Sequence, residues 1–297
     1  MAKVDKTEKK APAATTDALL PDVALESLGV RKAYKLYIGG AFVRSESGRT
    51  LSVDERGGAA SKENVPRASR KDGRDAVSAA KAAWSGWSGK TAMNRGQILY
   101  RMAEMMDARA PELVASLVRG GLSEADAAKE VAAAVDRTVA YAGWSDKYQS
   151  LFSSLNPVGG PHFDFTVPES MGVVAVAAPS RPALLGLVGA ILPIIVSGNT
   201  CVVLGSEADP RTVLVFGEIL ATSDLPRGVV NLLTGQVAEV LPHLAKHMEV
   251  SALDLHGVDA ALAKSAEEAA VLNVKRVRTR SLAEADWHDA AVTETPR

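Results

Sequence analysis

The hydrophobic residues in the second half of the chain form short, uninterrupted runs that are separated by longer amphipathic stretches. The runs lie at 171–179 (MGVVAVAAP), 200–204, 228–235 and 251–255. Continuous β-branched runs are typical of strands buried on both faces of a parallel sheet. Stretches with helical length and spacing lie between and after them, at 183–197, 211–223, 236–247 and 258–272. This alternation, followed by a last candidate strand at 274–280, predicts an α/β fold with a doubly wound parallel sheet.

The first half of the chain predicts a small strand pair followed by long helices. From Tyr34, two short strands meet at Gly39-Gly40, a second turn follows at Ser47-Gly48, and a polar stretch extends to about Arg70. We predict helices at 72–89, 91–110 and 123–150. Asp72 is placed to cap the first of them. The second repeats apolar residues at helical spacing, which predicts a core face of Ile98, Leu99, Met102, Met105 and Met106.

The two ends of the chain differ in composition from the part between them. Residues 1–30 begin with a Lys-, Ala- and Pro-rich stretch that has little to bury, so we predict a disordered tail with a short helix after Pro21. That helix packs on the surface in one interpretation and is a docking peptide in another. Residues 284–297 are polar and predict a loose C-terminal tail. The predicted domain therefore spans 31–283.

Composition narrows the classes of function. The formal net charge is −1, which argues against a general nucleic-acid or membrane-surface protein because no long-range attraction to an anionic surface results. The longest apolar stretch, 183–203, is interrupted by Pro193 and by Ser197-Gly198-Asn199, so it favours a buried helix and strand over a membrane span. One cysteine, Cys201, suits a reducing cytoplasm. The five histidines lack zinc-ligand spacing, so no metal site is predicted.

Several segments, in the same order along the chain, carry a resemblance to a known family. They are the strand pair YIGGAFVRSESGRT, the helical segments RGQILYRMAE and YAGW, ESMGVVAVAAP at 169–179, SGNT at 197–200 and LPRGVVNLLTG at 225–235. From Tyr34 to Leu282 the chain resembles the aldehyde dehydrogenase superfamily. It is most similar to short, actinobacterial-type members that lack the catalytic cysteine domain. The resemblance implies the Rossmann-like cofactor domain of that family, with its N-terminal helices and small strand pair.

The resemblance also implies a site for NAD at the ends of the parallel strands. The positions it assigns to cofactor binding are Pro179, Ser206, Glu207, Gly235 and Gly257. Two departures weaken this expectation. Leu204 occupies the place of a lysine that grips the adenosine ribose, and Val258 replaces a serine where a helix N-terminus meets the pyrophosphate. NAD binding is therefore expected to be weakened or lost.

The catalytic positions depart further from the family pattern. Arg181 lies where the family has an asparagine that donates to the developing oxyanion, a donor typically worth about 3–4 kcal/mol. Arg280 replaces the general-base glutamate, and arginine cannot accept a proton at any useful pH. The domain that carries the nucleophilic cysteine is expected to be missing, and Cys201 begins a buried strand without a basic neighbour. We assign no catalytic residue.

Three functions remain open. The first is a non-catalytic or regulatory subunit that forms homo-oligomers or pairs with a full-length aldehyde dehydrogenase, since the segment around 163–169 resembles the start of the family's oligomerisation strands. The second is an NAD-dependent oxidoreductase whose site is shared between chains. The third is a scaffold that binds an anionic metabolite with Arg181 and His256. No nucleic-acid or membrane partner is expected.

Charged side chains elsewhere leave further alternatives. The arginines of 274–280 indicate either an edge strand, where charge discourages aggregation, or contact with an acidic partner. His243 and His247 are four residues apart, which is the spacing of a solvated helix face or of two metal ligands.

Overall fold

The computed structural model describes residues 32–54 and 62–293. The predicted tail at 1–30 and its short helix lie outside these residues. From Ala33 onward the chain forms one compact unit. None of the helices in the described ranges is long and apolar enough to cross a bilayer.

The first half contains six strands and five helices in the described ranges. They are β1 (Leu36–Ile38), β2 (Ala41–Val43), β3 (Thr50–Asp54), β4 (Lys62–Pro66), α1 (Arg70–Ser88), α2 (Ala92–Ala108), α3 (Ala110–Arg119), α4 (Glu124–Trp144), α5 (Tyr148–Phe152), β5 (Ser154–Asn156) and β6 (Asp164–Thr166). The hairpin of β1 and β2 at Gly39-Gly40 is confirmed, and both glycines have positive φ. The antiparallel pair of β3 and β4 and the helix α3 were not predicted.

The second half alternates strands and helices as the hydrophobic runs indicated. Its elements are β7 (Val173–Ala177), α6 (Leu185–Val196), β8 (Thr200–Leu204), α7 (Pro210–Thr222), β9 (Val230–Leu233), α8 (Val237–Lys246), β10 (Val250–His256), α9 (Ala260–Ala270), β11 (Arg276–Arg280) and α10 (Ala290–Thr293). A 3-10 turn at 271–273 precedes β11, and another lies at 284–288. The stretch 183–203 is a buried helix and strand, as predicted.

The main sheet has the order β11-β10-β7-β8-β9-β1-β2. The five strands β11, β10, β7, β8 and β9 are parallel, and β1 of the hairpin pairs antiparallel with β9. The chain proceeds outward from β7 to β9 and then crosses to β10 on the other side of β7. The strand order therefore reverses between β7 and β10, where doubly wound sheets bind their ligands. The α/β fold with a doubly wound sheet is confirmed.

Two helical layers bury the sheet. The layer of α2, α4, α6 and α7 packs on the face that carries Val174, Val176 and Val203. The other layer, α1, α8 and α9, packs on the face that carries Ala175, Val202 and Leu253. Ile98, Leu99, Met102 and Met106 are buried in the first layer and Met105 packs against it, so the predicted core face of α2 is confirmed.

The first long helix begins earlier than predicted, and its cap is a different residue. Ser69 is the N-cap of α1, and Asp72 is the third residue of the helix. The Asp72 carboxylate accepts hydrogen bonds from the amide of Ser69 and the hydroxyl of Ser45. Asp72 therefore closes a capping box, in which the cap and the third residue satisfy each other's exposed amides.

Residues 284–293 are not the loose tail that their polar composition predicted. They fold back as a 3-10 turn and α10, and Trp287 is only 2% exposed. Arg137 of α4 donates to the carbonyl of Trp287 at 3.0 Å, and the Tyr141 hydroxyl donates to the carbonyl of Thr293 at 2.9 Å. One buried tryptophan is enough to hold this polar segment against the fold, because its large aromatic side chain contributes most of the apolar area that the segment buries.

Candidate functional site

The five residues predicted to bind a cofactor all lie just beyond the carboxyl ends of β7 to β10. Pro179 follows β7, Ser206 and Glu207 follow β8, Gly235 follows β9, and Gly257 follows β10. The topology thus brings them to one edge of the sheet, across the point where the strand order reverses. The side chains differ in what they can offer a ligand, because several are already used by the fold.

Ser206 is buried, and its hydroxyl has a structural role. It donates to the carbonyl of Ser180 at 2.7 Å and accepts a hydrogen bond from the amide of Asp209 at 3.1 Å. The neighbouring Pro179 is also buried. Its ring packs against Gly186 so closely that a Cβ at position 186 would clash with it. Ser206 therefore joins the loops after β7 and β8, and Pro179 packs against the start of α6.

Glu207 is exposed at the rim, and its carboxylate serves a helix. Its Oε1 accepts a 2.6 Å hydrogen bond from the amide of Val237, the first residue of α8. Negative charge at a helix N-terminus is favourable, typically by less than 1 kcal/mol when exposed. A ligand hydroxyl would therefore compete with a weak contact for this carboxylate.

Gly235 and Gly257 have backbone conformations that favour glycine, with φ of 151° and 62°. Gly235 lies against the backbone of Ala68, so its place is fixed by packing between β9 and the loop before α1. Gly257 is exposed, has open space on its side-chain side, and donates to the carbonyl of Arg280 at 2.9 Å.

The N-terminus of α9 is the place where the resemblance puts a pyrophosphate, and a carboxylate already caps it. Asp259 Oδ1 accepts hydrogen bonds from the amides of Ala261 at 2.9 Å and Leu262 at 3.3 Å. These amides are among the donors that a helix N-terminus offers to an anion. A phosphate there would meet like charge and would have to displace the cap. The start of α9 therefore does not fit the pyrophosphate of NAD.

The ribose position of the resemblance also lacks its cation. Leu204, at the place expected of a lysine, is a buried residue at the end of β8. Glu207 remains, but it provides only acceptors. The residues at this edge therefore do not fit a dinucleotide held by the phosphate and ribose contacts that the resemblance implies.

A polar cluster lies at the carboxyl ends of β10 and β11 and is covered by the C-terminal segment. His256 Nε2 lies 3.1 Å from Asp254 Oδ2, without the alignment of a hydrogen bond. Arg280 Nε lies 4.0 Å from Asp254 Oδ1. The ring of Trp287 is 5.3 Å from that of His256, centroid to centroid, and His256 is buried beneath it. His256 is thus held inside the fold and is not free at the rim of a cleft.

Arg280 and Arg181 occupy the two positions where the resemblance expects a general base and an oxyanion donor. Arg280 cannot accept a proton, and the Asp254 carboxylate is its nearest charged partner among the described residues. Arg181 donates to the carbonyl of Gly120, at the end of α3, at 3.3 Å. Its guanidinium is therefore directed to a helix end.

Sequence reasoning missed Glu130, a buried carboxylate at the start of α6. Its Oε1 accepts hydrogen bonds from the amides of Leu184 at 2.7 Å and Leu185 at 3.1 Å. Burial raises the pKa of Glu130, while the two backbone hydrogen bonds act in the opposite direction. Its signal in the sequence is a single glutamate on the apolar side of a long helix, which does not reveal the partner helix.

The remaining candidates for chemistry are structural. Burial raises the pKa of the Cys201 thiol well above its ordinary value, which agrees with the prediction of a small hydrophobic residue without thiolate character. His247 is the residue that ends α8, its Nδ1 accepts from the amide of Glu249, and it lines one groove together with His243. Across 32–54 and 62–293, no three His, Cys, Asp or Glu side chains are arranged to hold a metal ion.

Comparisons with known proteins match most of this domain. The family model described as "Aldehyde dehydrogenase family" matches residues 42–281. Mouse (Mus musculus) cytosolic 10-formyltetrahydrofolate dehydrogenase is 29% identical over 259 residues, which are 86% of this chain and 29% of that protein. The chain thus spans less than a third of this curated relative.

Solved structures give the same match over about half of their length. A putative aldehyde dehydrogenase from Burkholderia cenocepacia has a TM-score of 0.78 and 28% identity, over 83% of this chain and 50% of that chain. PnpE in complex with nicotinamide adenine dinucleotide has a TM-score of 0.78 and 28% identity, with the same coverage.

Proposed function

This chain belongs to the aldehyde dehydrogenase family, and on that premise we propose that it is a non-catalytic subunit that pairs with a full-length aldehyde dehydrogenase. The observation that carries the non-catalytic part is Arg280 at the end of β11, where a protonated guanidinium takes the place of a proton acceptor. The nearby His256 is no substitute base, because Trp287 covers it. We propose the cytoplasm as its location, since the buried Cys201 forms no disulfide.

We also propose that NAD binding is weak. The Asp259 cap on α9 and the buried Leu204 both support this, since the first opposes a phosphate and the second removes a cation. A neighbouring chain that supplied a cation to this edge would instead support an oxidoreductase with a shared site. Calorimetric titration of the purified chain with NAD separates the two.

We expect Asp259→Ser to strengthen NAD binding about tenfold over the wild-type chain. Serine retains an N-cap acceptor but removes the negative charge that faces a pyrophosphate. The measurement is isothermal calorimetry with NAD, for which we expect no saturation of the wild type at millimolar concentration. The control is Asp289→Ser, since Asp289 likewise accepts a hydrogen bond from an amide at the start of a helix, but that helix is α10 and not α9. Micromolar binding by the wild type would contradict the proposal.

The pairing surface that we propose is the hairpin of β5 and β6 with the adjoining α5. Members of this family are commonly oligomeric, and exposed apolar side chains concentrate here. They are Leu151, Phe152, Leu155, Val158, Phe163, Phe165 and Val167. The rings of Phe163 and Phe165 contact each other in a tilted arrangement, with their centroids 5.4 Å apart. A contiguous apolar patch of this kind typically marks a protein interface, and the open edges of a two-stranded sheet can pair with another strand.

Leu155→Ser is expected to weaken assembly by about tenfold or more, because one fully buried leucine contributes roughly 1.5–3 kcal/mol. The measurement is light scattering after size exclusion, on the chain mixed with a purified full-length aldehyde dehydrogenase from the same genome. Leu272→Ser is a matched control, since Leu272 and Leu155 are both 68% exposed and Leu272 lies outside the hairpin. A wild-type chain that stays monomeric beside the full-length enzyme would refute the pairing. Self-assembly alone would leave the hairpin as an interface but remove the partner.

A further inference from the structure

A cavity of about 320 Å³ lies between α4, α5 and α6, the edge strand β11 and the C-terminal segment. Its walls are mostly aromatic and aliphatic, formed by Tyr141, Trp144, Tyr148, Phe152, Pro193 and Val196. Small-molecule sites typically have volumes of roughly 300–1,000 Å³, apolar walls and a few polar groups that fix orientation. The cavity lies on the face of the sheet that α4 and α6 cover, and it does not include the five residues at the strand ends.

The charged groups of this cavity are two guanidinium groups, which are nitrogen donors. Arg278 and Arg280 lie two residues apart on β11, so both side chains project to the same face, and both line the cavity. Trp287 lines it as well. None of the residues that line it is acidic. The nearest carboxylate is that of Asp254, 4.0 Å from Arg280. One carboxylate therefore faces two guanidinium groups, and the local charge stays positive.

Two of these donors are buried without a partner in the described part of the chain. Arg280 Nε and Trp287 Nε1 have neither solvent access nor a hydrogen-bond acceptor, and the Trp287 side chain as a whole is 2% exposed. An unsatisfied buried donor costs about 1–3 kcal/mol, so native proteins seldom retain one without a reason. Both residues line the cavity, so an acceptor that reached these atoms after a small side-chain movement would remove this cost.

We propose that this cavity binds an organic monocarboxylate with an apolar body. A carboxylate matches the planar fork of arginine and accepts several N–H bonds at once, which favours it over a neutral oxygen. The aromatic walls take the apolar body and give nothing to a free inorganic phosphate. At about 30 Å³ for each water-sized group, the volume holds about ten such groups. The inference does not depend on NAD, and the cavity shares only Phe152 with the exposed apolar side chains of the proposed pairing surface.

The test compares three ligands of equal chain length: octanoate, octanamide and 1-octanol. Binding is measured by calorimetry and by the tryptophan emission of Trp144 and Trp287, which both line the cavity. Octanoate is expected to bind at least about tenfold more tightly than octanamide, because hydrogen bonds to a charged group are roughly twice as strong as neutral ones. Equal affinity for the three, or no binding at millimolar concentration, would overturn the proposal.

Substitutions test whether the arginines cause the preference for octanoate over octanamide. The double variant Arg278→Gln with Arg280→Gln is expected to bind octanoate and octanamide equally. Arg276→Gln is the matched control, since Arg276 lies on the same strand and face but outside the cavity, and it should keep the wild-type preference. Trp287→Phe keeps the ring and removes the N–H, so we expect octanoate binding to fall a few-fold and octanol binding to stay the same. A double variant that retains the preference would refute the site, and if it fails to fold, the wild-type ratio decides.

Discussion

Replacing Trp287 by alanine is expected to lower the free energy of unfolding by about 3–5 kcal/mol, the usual range for removing a large buried aromatic side chain. The indole is 2% exposed and lies against Gly189 of α6, where even a Cβ would come within 2.9 Å of the ring. Arg137 fixes the backbone of Trp287 through a 3.0 Å hydrogen bond. The measurement is urea unfolding followed by circular dichroism, because the substitution changes the fluorescence.

The control for this prediction is Phe163→Ala, which removes an aromatic side chain that is 75% exposed. We expect it to change the free energy of unfolding by less than about 1 kcal/mol. Trp287→Ala with an equally small effect would mean that residues 284–293 are held loosely, as their composition predicted. A large effect confined to Trp287 would establish the segment as part of the core.

The repeating half of the fold could be predicted from sequence, and the C-terminal segment could not. Hydrophobic runs located β7 to β10, because a strand buried on both faces needs an apolar residue at every position. Trp287 gave no such signal. Its neighbours in sequence are polar, and its partners Arg137 and Gly189 are far away in the chain. A single residue that is buried through contacts with distant parts of the chain leaves no periodic pattern in the sequence.

The candidate site shows a similar division. The edge of the sheet could be predicted, because the carboxyl ends of parallel strands lie on the same side. The state of each side chain there could not. Ser206 and Glu207 have the right type and position, but one hydroxyl is used between two loops and one carboxylate caps α8. Asp259 caps α9, a role that only its distances to two amides reveal.

The arginines of the last strand were ambiguous in the sequence, and the topology favours one interpretation. Among the described residues, β11 pairs only with β10, so it is an edge strand. Charged side chains on an edge discourage pairing with another chain. The proposed carboxylate site gives Arg278 and Arg280 a second role that Arg276 does not share.

Arg211→Met is expected to lower the free energy of unfolding by about 3–5 kcal/mol at neutral pH, the range for removing one partner of a buried ion pair. Arg211 is 1% exposed at the start of α7. It donates to the carbonyl of Arg119 at 2.8 Å and contacts Glu63 at 3.3 Å. Its Nε lies 3.7 Å from Asp209 Oδ1, and this second carboxylate is almost completely buried.

The destabilisation should grow as pH rises, for a reason that lies in Asp209. Burial raises the pKa of Asp209, while the Thr212 hydroxyl and Arg211 hold it down. Without Arg211, the folded-state pKa rises further above the unfolded value. A raised folded pKa contributes stability that is present below the unfolded pKa and is lost as pH rises through the folded one. The difference between wild type and variant should therefore be smaller near pH 5 than near pH 8, measured by urea unfolding at both.

Asp209→Asn in the Arg211→Met background tests that cause directly. Asparagine keeps the shape and an acceptor for the Thr212 hydroxyl, which Asp209 Oδ2 now provides, but it cannot ionise. The double variant should recover part of the lost stability near pH 8 and lose the pH dependence that the single variant shows. If the single variant is equally destabilised at both pH values, the loss comes from the carbonyl and Glu63 contacts of Arg211. The buried carboxylate would then be stable without its cation.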